Sequence, residues 1–314
     1  MAAKRVLCVG DLLVEIMRKE VGVRLDEAAD FVGPFPSGAS GIFTDAIARL
    51  GTKAAFIGSV GKDDFGKVIL ERLKRDGVDT SHVKELTDFT TGVAFVTYFS
   101  DGSRQFIFHL PRAATGQVTE ADIDESFVST FNHVHVVGST MFITDSTARA
   151  CEKAVDIVKK NGGTVSFDPN SRPELISGDE LRSRLGRILE QTDIIFPTEA
   201  ELELLSGTAD PEAASRALMD QGVEVCAVKM GGEGSWVFTR DDSVRVPAFD
   251  VEEVDPTGAG DSYCAGFLAA HFDGKSLEES VRYANAVAAL SVTRKGPMEG
   301  APTVAEVEQL LRSQ

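Results

Sequence analysis

A glycine-rich turn that ends in a carboxylate is the feature of this sequence best suited to chemistry. It reads Asp255-Pro256-Thr257-Gly258-Ala259-Gly260-Asp261, and the small and apolar residues after it predict a buried helix. Glycines let backbone N–H groups approach a ligand, and a helix N-terminus presents unpaired donors at the positive end of its dipole. The pattern therefore predicts an anion site with Asp261 beside it. Asp261 could instead simply cap the helix, but a cap does not require glycines on both sides of Ala259.

Most of the chain alternates between short apolar strands and helical patterns of ten or more residues. Residues 5–9 and then 42–50 show this alternation, as do residues 133–137 and then 146–160. Such alternation is typical of a parallel sheet covered by helices. We therefore predict an α/β fold with three layers, in which helices cover both faces of a mostly parallel sheet.

Two segments break this alternation. Residues 91–100 alternate apolar and polar side chains, turn at Asp101-Gly102 and return over residues 103–110, which predicts a β-hairpin. Residues 12–35 are also β-like and are punctuated by glycine and proline. Both segments leave the core near the carboxyl end of a strand, where open parallel sheets bind ligands. We predict that residues 12–35 and 91–110 form a small β-sheet lid on a core of residues 1–11, 36–90 and 111–314.

The bulk properties argue against two classes of partner. The 314 residues carry a formal net charge of −17, and such a surface repels phosphate backbones, so we expect no nucleic-acid partner. No stretch reaches the roughly twenty apolar residues that span a bilayer, so we expect no membrane association. Four widely spaced cysteines without a CxxC pair indicate neither a zinc site nor a disulfide framework. The cytoplasm is the expected compartment.

The glycine-rich turn resembles the C-terminal signature of the ribokinase-like, or PfkB-type, carbohydrate kinases. Weaker matches occur in the family's order along nearly the whole chain, which is more specific than any one of them. These are Gly10-Asp11, the helix entry at Gly38, the β-lid, Asp168-Pro169-Asn170-Ser171-Arg172 and Val292-Thr293-Arg294-Lys295-Gly296. The resemblance implies a ribokinase-like fold and ATP-dependent phosphorylation of a sugar hydroxyl. It also implies that Asp261 deprotonates that hydroxyl, while the N–H groups of Gly258, Ala259 and Gly260 stabilise the transferring phosphoryl group.

The resemblance also places the nucleotide and its metal. By analogy the ATP-binding residues are Asn170, Lys229, Gly231, Gly234 and Asn285. Glu201 matches an acid that organises hydrated Mg²⁺ in the family, although Thr198 stands where the family has Asn. A carboxylate at a helix start would also be favoured by the dipole alone. Asp255 matches a position that binds a monovalent cation in some relatives, so the resemblance leaves potassium activation open.

The same comparison places the sugar between the core and the lid. The implied sugar-binding residues are Asp11, Gly38, Ile42, His109 and Arg172. Asp11 follows the first strand and can accept hydrogen bonds from two hydroxyls, whereas Ile42 stands where an Asn commonly contacts the sugar. Arg172 could instead reach a phosphate through its planar guanidinium. A polar outward face of the hairpin is an equal alternative for His109.

The lid bears on the choice of sugar. Kinases for 2-keto-3-deoxygluconate usually have an arginine where this chain has Leu110, and an uncompensated buried carboxylate is costly. Arg112, two residues later, could compensate. We therefore expect a neutral ketohexose of the fructose or tagatose type. The alternatives are a 2-keto-3-deoxygluconate kinase, a ribokinase or nucleoside kinase, and a non-catalytic sugar-binding regulator. The family further implies a homodimer through the lid.

Overall fold

The computed structural model describes residues 4–171 and 178–314; Arg172 lies outside them. Its strands, numbered along the chain, are β1 (Arg5–Val9), β2 (Leu13–Arg18), β3 (Phe31–Ser37), β4 (Lys53–Gly61), β5 (Asp79–Leu86), β6 (Gly92–Tyr98), β7 (Arg104–His109), β8 (His133–Val137), β9 (Thr164–Asp168), β10 (Ile194–Ile195), β11 (Val225–Lys229), β12 (Ser235–Phe238) and β13 (Ser243–Val246). Its α-helices are α1 (Ala39–Arg49), α2 (Asp64–Arg75), α3 (Glu125–Val128), α4 (Gly138–Met141), α5 (Asp145–Lys160), α6 (Gly178–Leu189), α7 (Glu199–Ser206), α8 (Pro211–Asp220), α9 (Ala259–Phe272), α10 (Leu277–Ser291) and α11 (Val304–Ser313).

Nine strands form one large sheet, in the order β13-β12-β11-β10-β9-β8-β1-β4-β5. Every pairing from β11 to β5 is parallel, and only β12 and β13 at one edge are antiparallel. The predicted strands are largely apolar, as is typical of a sheet buried on both faces. The mostly parallel sheet is therefore confirmed.

Two apolar cores lie on opposite faces of this sheet. One contains Phe43 of α1, Ile69 of α2 and Phe267 of α9, and the other contains Val155 of α5 and Leu218 of α8. Because strand side chains alternate between faces, Cys8 of β1 belongs to the first core and Leu7 to the second. The three-layer prediction is confirmed.

The remaining four strands form a small sheet in the order β3-β2-β6-β7. The predicted hairpin is confirmed, since β6 and β7 pair antiparallel with Tyr98 opposite Arg104 and Ala94 opposite Phe108. β2 runs parallel to β6 and antiparallel to β3. The inner face of this sheet includes Leu13, Ala94 and Leu110, which pack together. The division of the chain into core and lid segments stays a prediction.

No helix in the described ranges is both long enough and apolar enough to cross a bilayer. The four cysteines are buried free thiols.

Candidate active site

The glycine-rich turn forms the start of α9. Gly258 is the N-cap residue at φ +82°, and a Cβ there would lie 2.7 Å from the carbonyl oxygen of Pro297. Only glycine fits both the left-handed backbone and this close approach. Asp261 is the third residue of the helix and is 5% exposed. No side-chain hydrogen bond caps the helix at Gly258.

The N–H groups at the start of α9 point out of the helix, as those of every helix start do. Gly258 and Gly260 border a large cleft, and so does Ala259. The Ala259 N–H also reaches the Pro256 carbonyl at 3.3 Å, so one of the three predicted donors is already shared with the turn. The positive end of the dipole still faces the cleft.

Asn170 connects Asp261 to the strand end at β9. Its side-chain amide donates to Asp261 Oδ1 at 3.3 Å, and its backbone N–H donates to Asp168 Oδ1 at 3.1 Å. Asn170 has φ +38°, a region that asparagine tolerates better than most residues. The left-handed backbone turns the side chain toward Asp261. Asn170 therefore holds the Asp261 carboxylate in position by a hydrogen bond.

Lys229 lies at the end of β11 and forms a buried ion pair. Its Nζ donates to Asp168 Oδ2 at 2.7 Å, and the Asp168 side chain is fully buried. Burial raises the pKa of Asp168, which the Lys229 ammonium opposes. Burial alone would lower the pKa of Lys229, but Asp168 and Glu201 raise it above its usual range. Lys229 therefore stays protonated at the wall of the cleft, with its charge compensated.

Glu201 accepts four hydrogen bonds at the same wall. Ser171 donates to Oε1 from its N–H at 2.6 Å and its hydroxyl at 2.9 Å, and Thr198 donates to Oε2 from the same two groups at 2.8 and 3.0 Å. Burial would raise the pKa of Glu201, but Lys229 and these hydrogen bonds lower it. A carboxylate offers about four acceptor sites, and here protein donors already use them. These four donors fix Glu201 at the wall of the cleft and leave little capacity for direct ligation of a metal.

Asp255 joins three segments of the chain. Its Oδ1 accepts hydrogen bonds from the Thr257 N–H at 3.0 Å and the Tyr98 hydroxyl at 2.8 Å, and its Oδ2 accepts the Gly296 N–H at 2.9 Å. The Tyr98 hydroxyl also contacts the Thr257 hydroxyl. Tyr98 ends β6, so this contact fixes the end of the hairpin to the turn that precedes α9.

Asp11 follows β1 and holds the start of α1. Its carboxylate accepts the N–H groups of Ala39 at 3.0 Å and Ser40 at 3.3 Å, as well as the hydroxyls of Ser40 at 2.8 Å and Thr140 at 2.7 Å. Gly38, at φ +104°, must be glycine because a Cβ would lie 2.4 Å from the Asp11 carbonyl oxygen. Asp11 therefore caps this helix and also borders a cavity.

Two cavities meet at the start of α9. The smaller one lies between the two sheets and the start of α1, and its wall includes Asp11, Glu15, Ile42, Phe106, Phe108 and Leu110. The larger one is a cleft of about 620 Å³ bordered by Lys229, Glu201, Asn170, Asn285 and the glycines after β11. Three residues border both, namely Arg104, Gly258 and Asp261. A group passing from one cavity to the other passes these three.

The remaining residues predicted to bind ATP differ in whether their polar groups are already hydrogen-bonded within the protein. Gly231 and Gly234 border the large cleft, and Gly234 at φ +93° allows close approach to the backbone after β13. Asn285 also borders it, but its amide is engaged with Ser235 and the carbonyls of Val246 and Pro247. Its side chain therefore holds β12 and β13 together.

His109 matches the alternative of an outward-facing side chain, because it does not line the small cavity. It is exposed on the face of β7 opposite to Phe106 and Phe108, since successive strand residues point to opposite faces. Arg112 is also exposed and is absent from the walls of both cavities. Arg172 lies outside the described residues.

Sequence reasoning missed Tyr98 and Arg104. A signal was present for Arg104: the alternation that turns Phe108 inward also turns residues 106 and 104 inward. Tyr98 follows from the same hairpin, because it lies directly opposite Arg104. No local pattern predicts its contact with Asp255, which is 157 residues away in the chain.

Comparisons with known proteins define the class, which is that of carbohydrate kinases. The family model described as pfkB family carbohydrate kinase matches residues 3–304, so the chain belongs to that family. Fructokinase-1 of Oryza sativa subsp. japonica is 34% identical over 317 residues, covering 98% of each chain.

Solved structures show the ribokinase-like fold. A candidate ribokinase II of E. coli, in complex with ATP and Mg²⁺, is similar with a TM-score of 0.94 and 40% identity, covering 99% of this chain and 100% of that one. A double mutant of Vibrio cholerae O395 fructokinase, bound to fructose, ADP and a potassium ion, has a TM-score of 0.84 and 28% identity, covering 98% of each chain.

Proposed function

We propose that this kinase transfers the γ-phosphoryl group of ATP to a hydroxyl of a neutral ketohexose of the fructose type. The observation that supports this most is that the two cavities meet at Asp261 and Gly258. The sugar occupies the small cavity and the nucleotide the large cleft. Phosphoryl transfer requires chiefly this in-line alignment together with electrostatic stabilisation.

In the proposed step Asp261 takes the proton of the attacking hydroxyl. The sugar oxygen forms a bond to the γ-phosphorus while the bond from that phosphorus to the β–γ bridging oxygen breaks. The electron pair leaves with ADP, and the proton remains on Asp261 until it is released to solvent. Asn170 orients the base, and the N–H groups of Gly258 and Gly260, with a contribution from Ala259, stabilise charge on the transferring group.

The nucleotide phosphates bring Mg²⁺ into the cleft in this proposal. Mg²⁺ keeps several waters and takes few protein carboxylates, so the negative charge of Glu201 at the wall of the cleft would attract the hydrated ion without ligating it directly. When bound, the ion neutralises charge on the phosphate oxygens. Glu201 keeps Ser171 and Thr198 in place, and Lys229 lies beside Gly260. Potassium dependence at Asp255 stays a prediction.

The small cavity supports a neutral substrate. Three carboxylate residues, Asp11, Glu15 and Asp261, border it, and Leu110 is buried in its wall where an arginine would meet a sugar acid. Carboxylates accept hydrogen bonds from hydroxyls but repel a second carboxylate. The fructokinases among the relatives agree with this choice.

A sugar acid is the second candidate, because Arg104 also borders this cavity. We disfavour it, since Arg104 lies at the junction with the nucleotide cleft and not deep in the wall. A ribose substrate is disfavoured by Ile42, which is buried and offers no hydrogen bond to a hydroxyl.

The test is ADP release with Mg-ATP and each of fructose, tagatose, 2-keto-3-deoxygluconate and ribose. We expect turnover of a ketohexose, and Asp261→Asn should lower kcat on the order of 10²–10⁴-fold, as loss of a positioned base does. Asp273→Asn is the matched control, because Asp273 lies exposed at the other end of the same helix. Turnover of the sugar acid alone would refute the neutral substrate, and full activity of Asp261→Asn would refute the base.

Two further assignments belong to this proposal. We infer a homodimer through the outer face of the small sheet, where Phe31 and Ile107 are exposed apolar residues. Sedimentation equilibrium of the wild type and of Ile107→Lys would test it, and a wild-type monomer would refute it. We also propose a cytoplasmic location, in keeping with four free thiols.

A further inference from the structure

Arg104 lies at the junction of the two cavities. It is the first residue of β7, it is exposed, and it borders both the small cavity and the large cleft. The two other residues with this property are Gly258 and Asp261. These are the residues at which the proposed reaction takes place. The position of Arg104 is therefore that of a side chain close to the group in transfer.

A neighbouring contact holds the end of the hairpin in this position. Tyr98 lies directly opposite Arg104 in the β6–β7 ladder, so both side chains lie on the same face. The Tyr98 hydroxyl donates to Asp255, which is buried and anchors the Thr257 and Gly296 N–H groups as well. The start of β7 is thereby fixed over the start of α9. Arg104 extends from a segment that is attached to the catalytic turn.

Two cations among the described residues border the cleft, and Arg104 is the one without a carboxylate partner. Among the described residues, Arg104 and Lys229 are the lysine and arginine side chains that border the cleft. Lys229 is paired with Asp168 at 2.7 Å, whereas no ion pair involving Arg104 occurs within residues 4–171 and 178–314. Its guanidinium lies 5.8 Å from the centre of the Phe106 ring, which orients the side chain along the sheet.

The acidic side chains around the cleft would repel the phosphates of a bound nucleotide, and a nearby cation would reduce that repulsion. Glu201, Asp250, Glu253 and Asp261 all border it. A triphosphate entering this site meets four carboxylates, and the Lys229 charge is already compensated by Asp168. An additional positive charge would lower the repulsion most where the phosphoryl group passes Asp261.

We propose that Arg104 is a further catalytic residue, which donates hydrogen bonds to the transferring phosphoryl group and stabilises its charge in the transition state. This inference rests on the proposed kinase reaction and adds a second source of positive charge opposite the start of α9. Arg104 forms no covalent bond and exchanges no proton. Asp261 receives the hydroxyl proton, and ADP leaves with the electron pair. A planar guanidinium matches phosphoryl oxygens in pairs, which an ammonium cannot do.

The first experiment compares Arg104→Gln and Arg104→Lys with the wild type on the neutral sugar that the wild type uses. We expect Arg104→Gln to lower kcat on the order of 10²-fold, as loss of one transition-state donor does, with the KM of the sugar changed less than about threefold. Arg104→Lys should recover part of the loss, since it restores the charge without the planar geometry. Arg112→Gln is the matched control, because Arg112 is an exposed arginine just past the same strand that borders neither cavity.

Two kinetic outcomes would overturn the inference. In the first, Arg104→Gln and Arg112→Gln have the same kcat as the wild type. In the second, Arg104→Gln raises the KM of the sugar or selectively abolishes use of a sugar acid, which would mean that Arg104 binds the substrate's own anion. A wild-type protein that phosphorylates no sugar would instead refute the proposed function.

A binding measurement tests the role of Arg104 separately from the proposed kinase reaction, because it requires no turnover. ADP with Mg²⁺ and aluminium fluoride, in the presence of the sugar, imitates the transferring group, whereas ADP with Mg²⁺ alone does not. By titration calorimetry we expect Arg104→Gln to weaken binding of the aluminium fluoride complex at least about tenfold and to leave ADP binding unchanged. Equal weakening of both would assign Arg104 to ordinary nucleotide binding and refute the inference.

Discussion

At the scale of single residues, close backbone packing around the start of α9 restricts which residue types can occupy particular positions. Gly258 needs glycine for its left-handed backbone and for the approach of the Pro297 carbonyl. Gly38 meets the same two requirements beside Asp11. Both positions therefore fix the distance between a buried carboxylate and the backbone beside it, which side-chain chemistry alone could not do.

Gly258→Ala should lower kcat by more than its loss of folding stability alone would explain. A left-handed alanine costs roughly 1–2 kcal/mol, and the added Cβ would push the turn away from Pro297, so we expect kcat to fall at least about tenfold. Gly274→Ala is the control, because Gly274 has φ +78° with no atom within 4 Å of an added Cβ. It should lose similar stability in urea unfolding and keep full kcat. Equal kcat for both variants would mean that the approach at Gly258 does not matter for the reaction.

At the scale of elements, the hairpin and the turn before α9 form one unit through Tyr98 and Asp255. The contact joins residues that are 157 positions apart in the chain. Asp255 is buried and retains two backbone N–H donors without Tyr98, so loss of the hydroxyl would loosen the hairpin and spare the turn. The small sheet therefore contributes to the active site through this hydroxyl and through Arg104.

Tyr98→Phe should lower kcat roughly tenfold with little change in the KM of ATP, because it frees the hairpin that carries Arg104 and leaves the nucleotide contacts intact. When Tyr98→Phe is combined with Arg104→Gln, the combined loss should be smaller than the product of the two, since both act through one element. Tyr283→Phe controls for removal of a phenol hydroxyl elsewhere in the chain. Independent, multiplicative losses would show that Tyr98 does not act through Arg104.

Much of this arrangement could be predicted from sequence because it depends on local patterns. Alternating strands and helices gave the parallel sheet, and the Asp101-Gly102 turn with alternation around it gave the hairpin. The glycines at 258 and 260 placed Asp261 correctly at the start of a buried helix. The sequence left two faces open for His109, because an alternating pattern alone does not say which set of side chains faces the core. Long-range contacts such as Tyr98 to Asp255 leave no local signal.

At the scale of the whole molecule, two buried histidines of β8 make the free energy of unfolding depend on pH. His133 is hydrogen-bonded to the hydroxyls of Thr164 and Ser166, each at 2.8 Å, and His135 shares the Ser166 hydroxyl at 2.8 Å. Burial lowers the pKa of His133 to about 3 and that of His135 well below its usual range. Both rings are therefore neutral in the folded protein, whereas in the unfolded chain they take up protons near pH 6.5.

The free energy of unfolding changes with pH because the folded and unfolded states bind different numbers of protons. Above pH 6.5 neither state binds these protons, and below it only the unfolded state does, so the free energy of unfolding falls as the pH falls. Each histidine contributes a slope of roughly 1.4 kcal/mol per pH unit below its unfolded pKa. In urea titrations between pH 7.5 and 5, His133→Asn should reduce the slope by about one proton. An unaltered slope in His133→Asn would contradict the assignment.

The strand order has a consequence for how the protein is made. β1 is synthesised first but lies in the interior of the large sheet, and its neighbours β4 and β8 emerge later. Asp11 and Asp261 are separated by about 250 residues, which a ribosome adds in roughly 12–50 s. During that interval the segment around Asp11 exists without the turn and helix that carry Asp261. A nascent chain stalled before α9 therefore lacks one side of the junction between the two cavities.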